Sequence, residues 1–107
     1  MHARYRHHLP QLDGGLFLTD GGLETTLIFH DGFELPMFAA FKLVESARGR
    51  AALARYFDRY VPLALGHGAG FILESPTWRA SPDWAARMGI GRDQLAAMNR
   101  ELIALMA

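Results

Sequence analysis

Apolar residues fall along this chain in two rhythms, and their succession predicts strand, helix, strand, helix. Leu16, Phe17, Leu18 and Thr19 form a short run of strand character that delivers Asp20 to its C-terminal end. His30 to Pro36 holds the turn pairs Asp31-Gly32 and Leu35-Pro36, and Met37 to Val44 then predicts a short apolar helix or helical turn. Ser46 is the expected N-cap of the next helix. From Arg50 onward Leu53, Phe57, Tyr60, Val61 and Ala64 recur at helical spacing, with Arg55, Asp58 and Arg59 on the other side. Pro62 removes a backbone donor inside that pattern and predicts a kink or an earlier end.

Gly66, Gly68 and Gly70 are expected to end the helix and lead into a second apolar run, Phe71-Ile72-Leu73, which closes near Glu74-Ser75. Ser81-Pro82-Asp83 combines a hydroxyl cap, a proline at the first helical position and an acid in the first turn, and the helix it opens should stop near Gly89. A last helix, from about Asp93 to Met106, presents Leu95, Met98, Leu102 and Leu105 on one face. A helical crossover of about 50 residues between the strands favours parallel pairing. A parallel pair needs both faces and both edges covered. The fold class expected is therefore α/β with parallel strands: residues 1–15 a tail, and 16–107 about two βα units of a larger, truncated protein.

Composition narrows the function classes. The 107 residues are 50% hydrophobic and 21% charged, which suits a globular chain. Lys plus Arg equals Asp plus Glu at 11 each, so there is no electrostatic footprint for nucleic acid or an anionic membrane. The basic cluster HARYRHH at residues 2–8 precedes the first patterned segment and is read as a solvated tail. The absence of cysteine excludes disulfides, thiolate metal sites and Cys nucleophiles within these residues. No apolar run reaches the roughly 18 residues of a membrane span, and no signal-peptide core is present, so a cytoplasmic protein is expected.

The chemistry concentrates at Asp20-Gly21-Gly22. Ligands of parallel α/β sheets bind beyond the carboxyl ends of strands, and residues without Cβ there permit a sharp turn or close backbone approach. The alternative is an Asp that caps its own strand-ending turn. Glu74 closes the second strand, with Arg79 as its nearest ion-pair partner in sequence. Trp78 offers an aromatic wall for a cation or plain packing. His30 and His67 lie in predicted turns without a second ligand at metal spacing. An aspartyl-phosphate mechanism is set aside, because Gly22 stands where a second carboxylate would act as general acid.

Three segments carry a resemblance: LTDGGLETTL from Leu18 to Leu27, the Tyr56 to Gly70 stretch with its Gly-rich approach to strand two, and SPTWRAS from Ser75 to Ser81. Together they resemble the N-terminal part of the homocysteine S-methyltransferase family. The resemblance implies a (β/α)8 barrel that transfers a methyl group to the homocysteine thiol, held as a thiolate by zinc. It implies that Asp20 accepts hydrogen bonds from the substrate α-ammonium, that Gly21 and Gly22 admit the amino-acid end, and that Thr77 lines the pocket. Glu24 would share that site or cap the barrel top, and Trp78 would face the methyl donor. Pro76 stands where many members have Asn, and Arg79 where Gln, Gly or Tyr is frequent. The family's three zinc-ligand cysteines have no counterpart in a chain without cysteine. The competing expectation is a non-catalytic barrel fragment or binding module that associates with a partner chain, or with itself, through open sheet edges.

Overall fold

Hydrophobic side chains at helical spacing build most of the interior, and a short parallel sheet lies beside them. The structure is a computed structural model that describes residues 3–107; Met1 and His2, at the start of the predicted tail, lie outside it. Among the described residues the architecture is mixed α/β and mostly helical. Strands β1 (Phe17–Thr19) and β2 (Gly70–Ile72) pair in parallel, with Phe17 opposite Gly70, Leu18 opposite Phe71 and Thr19 opposite Ile72. The helices are α1 (Leu23–Phe29), α2 (Ala47–Phe57), α3 (Val61–Gly66), α4 (Pro82–Arg87) and α5 (Arg92–Met106). Tight 3₁₀ turns occupy Pro10–Asp13, Pro36–Phe38 and Ala40–Glu45. The first of these gives local structure to the predicted tail.

Local chemistry explains where the elements start and stop. The Ser46 hydroxyl accepts a 2.9 Å bond from the Gly49 amide, which caps α2 as its sequence predicts. The helix ends at Phe57, and Pro62 falls in the first turn of α3, where a missing N–H breaks no helical bond. The single periodic segment is therefore two helices. Proline also opens α4, although the Ser81 hydroxyl makes no cap bond, and Gly89 at φ +72° ends it.

Two further features depart from the sequence reading. Helix α1 was not anticipated: it spans only 7 residues, too few to display periodicity, and buries Leu23 and Leu27 one turn apart. Gly70 belongs to β2 instead of ending the preceding helix. A Cβ there would collide with the ring of Phe17, its strand partner, so a glycine lets that ring lie across the neighbouring backbone.

The core joins α1, the Ala40–Glu45 turn, α2, α4 and α5. Leu27, Phe41, Val44, Leu53, Tyr56 and Leu102 are its largest fully buried side chains. Helix α2 turns Ala52, Leu53, Tyr56 and Phe57 inward and leaves Arg48 and Arg55 in water; α5 contributes Leu95, Met98 and Leu102. Strand residues Phe17, Leu18, Phe71 and Ile72 are only half-buried. Burial of a large apolar side chain contributes about 1.5–3 kcal/mol, so stability resides in the helical layer. Among the described residues no helix is long and apolar enough to cross a membrane.

Gly49 is where that layer is tightest, because a Cβ would strike the Leu43 carbonyl of the preceding turn. Gly49→Ala should lower stability by about 1–3 kcal/mol through overpacking, even though alanine is the better helix former by about 1 kcal/mol. Urea denaturation measures this, and an unchanged midpoint would refute the close approach.

Candidate functional site

Strand β1 ends one residue before Asp20, and Gly22, at φ +73°, turns the chain straight into α1. That left-handed conformation explains the glycine at position 22. Gly21 has another property: a Cβ there would meet nothing within 4 Å, so space opens beside it.

Asp20 is held from below by the core. The Tyr56 hydroxyl, on the buried face of α2, lies 2.8 Å from Asp20 Oδ2 and 2.8 Å from the Gly21 carbonyl oxygen, and shares its proton between them. One turn later the Tyr60 hydroxyl donates to the same Gly21 carbonyl at 3.0 Å. The two phenol rings pack with centroids 5.1 Å apart, and Phe57 meets Tyr56 edge-on at 5.1 Å. Burial first, then the bonds and charges of Asp20 and Tyr60, push the Tyr56 ionisation far above its usual range. Tyr56 is thus a permanent neutral donor. Among the described residues Asp20 Oδ1 has no bonding partner.

Above this network lies an open cleft of about 390 Å³. The end of β1 supplies Asp20, Gly21, Gly22 and Glu24; the end of β2 supplies Glu74, Ser75 and Trp78; Phe57 lies between. The structure therefore gathers six sequence-predicted site residues in one place. Thr77 is the exception. It borders an adjoining depression of about 490 Å³, and its hydroxyl pairs with that of Ser75 at 3.0 Å. Among the described residues three carboxylates and no basic side chain line the main cleft, so its field favours a cationic group.

The expected Glu74–Arg79 pair does not form. Arg79 instead donates to the Met37 carbonyl, and its guanidinium centre lies 4.2 Å from the Trp78 ring centroid and 4.1 Å from that of Trp84. Each cation–π contact contributes about 0.5–2 kcal/mol, against about 0–1 kcal/mol for an exposed ion pair, so the indoles win. The cation that Trp78 meets here is the chain's own. His30 and His67 are both exposed.

Sequence reading missed the tyrosines as supports for Asp20. The available signal was chemical: Tyr56 lies on the helix face of Leu53 and Phe57, Tyr60 follows four residues on, and a buried phenol requires a partner. Comparison with protein-family models, curated proteins and solved structures finds no match to this chain.

A raised folded-state pKa means that the folded chain keeps a proton which the unfolded chain releases. The stability linked to Tyr56 is therefore complete below its ordinary value of 10.0 and declines as pH rises beyond it. Tyr56→Phe should cost about 1–2 kcal/mol at neutral pH and flatten the alkaline decline expected between about pH 9 and 11. Urea midpoints at each pH test both effects; parallel curves for the two proteins would exclude Tyr56 as the linked group.

Proposed function

We propose that this chain forms the amino-acid-binding corner of a cytoplasmic homocysteine S-methyltransferase-type site, on the first two βα units of a (β/α)8 barrel. The observation that carries the reading is Asp20: a carboxylate at the C-terminal end of a parallel strand, on a cleft wall, with one oxygen fixed by Tyr56 and the other uncommitted among the described residues. A carboxylate so placed suits the substrate α-ammonium, through a charge-assisted hydrogen bond. Glu24 and Glu74 deepen the negative field, the space beside Gly21 admits the amino-acid backbone, and Trp78 walls the cleft with a ring that already carries the Arg79 guanidinium. Thr77 would join the pocket by turning its hydroxyl from Ser75.

Support for the barrel comes from the sheet. The apolar strand residues are half-buried and among the described residues each strand has an unpaired edge, the state of strands that await neighbours. The radius of gyration is 15.0 Å, against about 13 Å for a compact chain near this length.

The residues present do not fit the family's zinc. There is no cysteine, and among the described residues no group of three His, Asp or Glu side chains is gathered to hold a metal. The role proposed for this chain is therefore binding and orientation, effects that contribute up to about 7–11 kcal/mol when reactants are held in line.

A second reading, a binding module that assembles with a partner chain through its open edges, is favoured by the exposure of Leu16 at 70% and Leu65 at 74%. A discrete dimer in size-exclusion chromatography would support it.

Calorimetric titration of homocysteine, and of 4-mercaptobutyrate, which lacks the ammonium group, tests the Asp20 assignment. Asp20→Asn should weaken homocysteine binding about 10- to 100-fold, the scale of one charge-assisted bond, and should not weaken binding of the deaminated analogue. Equal homocysteine affinity in both proteins, or none in the native chain, would sink the proposal.

A further inference from the structure

Stacked on Trp78, a wall of the anionic cleft, is a cation that does not itself line the cleft and whose chemistry is unspent. Arg79 follows Trp78, a wall of that cleft, and packs its guanidinium against Trp78 and Trp84. Arg87 approaches the same Trp84 ring, with its guanidinium centre 5.1 Å from the centroid. Two positive groups thus share one indole, and among the described residues neither makes an ion pair. The Met37 carbonyl takes one bond from Arg79 through Nη1. A guanidinium carries five N–H donors in a rigid fork, so most of that fork remains open.

The backbone around this group is held out of its relaxed state. Arg79 has φ +66°, and Met37 and Phe38, across the bond it makes, have φ 56° and 58°. Left-handed backbone at non-glycine residues costs free energy, and such residues gather at ligand sites. Glycine would meet the conformation at position 79 with less strain, but would bring no guanidinium.

We propose that Arg79 is an anion-binding group at the margin of the cleft, taking the carboxylate of a ligand whose cationic end lies against Asp20, Glu24 and Glu74. The ligand class is a zwitterion, an amino acid or a carboxylated ammonium or sulfonium compound. Three carboxylates would repel a simple anion, and a dianionic phosphate more strongly still. A ligand that carries its own cation escapes that repulsion, and a stacked, pre-organised fork receives its carboxylate bidentately. The proposal rests on the amino-acid reading of the cleft for the choice of ligand; the anion contact stands on Arg79 itself.

The protein carries its own reporter. It has two tryptophans, Trp78 and Trp84, and both flank Arg79, so tryptophan emission, excited beyond the tyrosine band, reads this place. Titrants are homocysteine, 3-aminopropanethiol (the same molecule without its carboxylate) and inorganic phosphate. Homocysteine should give a saturable change. Deleting the carboxylate, or making Arg79→Gln, should weaken binding about tenfold or more, and Arg79→Gln should not alter the aminothiol. Arg79→Gly removes the guanidinium while relieving the backbone, so a folded R79G by circular dichroism should show the same loss. Native homocysteine affinity in folded R79Q or R79G, equal affinity for the aminothiol, or no response to homocysteine up to about 10 mM would overturn the proposal. So would phosphate binding as tight as homocysteine and lost in R79Q, which would make this a phosphate site. Loss in Asp20→Asn but not in R79Q sinks this inference alone; the reverse pattern sinks the ammonium assignment alone.

Discussion

One phenolic hydroxyl joins the interior of this protein to its candidate site. The ring of Tyr56 is at 0% exposure among the helices, so packing fixes where its oxygen lies. That oxygen meets the Asp20 carboxylate and the Gly21 carbonyl together. Asp20 follows a strand of only 3 residues and precedes a glycine pair, a setting with little rigidity of its own. Its orientation is borrowed from the core through Tyr56, and Tyr60 repeats the contact at the Gly21 carbonyl. A site is as well defined as the shell that supports it.

A net charge of zero conceals a local division of charge. Carboxylates gather on the cleft, and two arginines gather on the indole of Trp84. Had Arg79 paired with Glu74, both groups would be neutralised. Trp78 and Trp84 prevent that pairing by offering the guanidinium a better surface, and so keep opposite charges apart across a short stretch of surface. Separation of this kind suits a partner that is itself dipolar.

Much of the fold was legible because its signals are local. Ser46 as a cap, Pro62 as a break, Pro82 as a start and Gly89 as a stop each act through the backbone within a few residues. Helix α1 was hidden because 7 residues leave one buried pair, Leu23 and Leu27. Gly70 was misread because its reason lies in Phe17, on the other strand. Asp20, Gly21, Gly22 and Glu74 are legible as cleft residues because strand ends in parallel sheets predict where ligands sit. Tyr56 under Asp20 and Trp84 against Arg79 are not, since neither contact follows from spacing along the chain.

Sequence distance also orders how the molecule comes together. The Ala40–Glu45 turn packs on the adjacent α2, and α4 packs on the adjacent α5, through short loops. Tyr56 and Asp20 are 36 residues apart, and β1 reaches β2 only across the entire helical crossover. Closing long loops carries a larger entropic penalty and is slower. The cleft therefore depends on the closure of a long loop, as does the packing of the Ala40–Glu45 turn on α5. A small molecule gripping both strand ends would act as a clasp on that loop, favouring the closed chain by mass action.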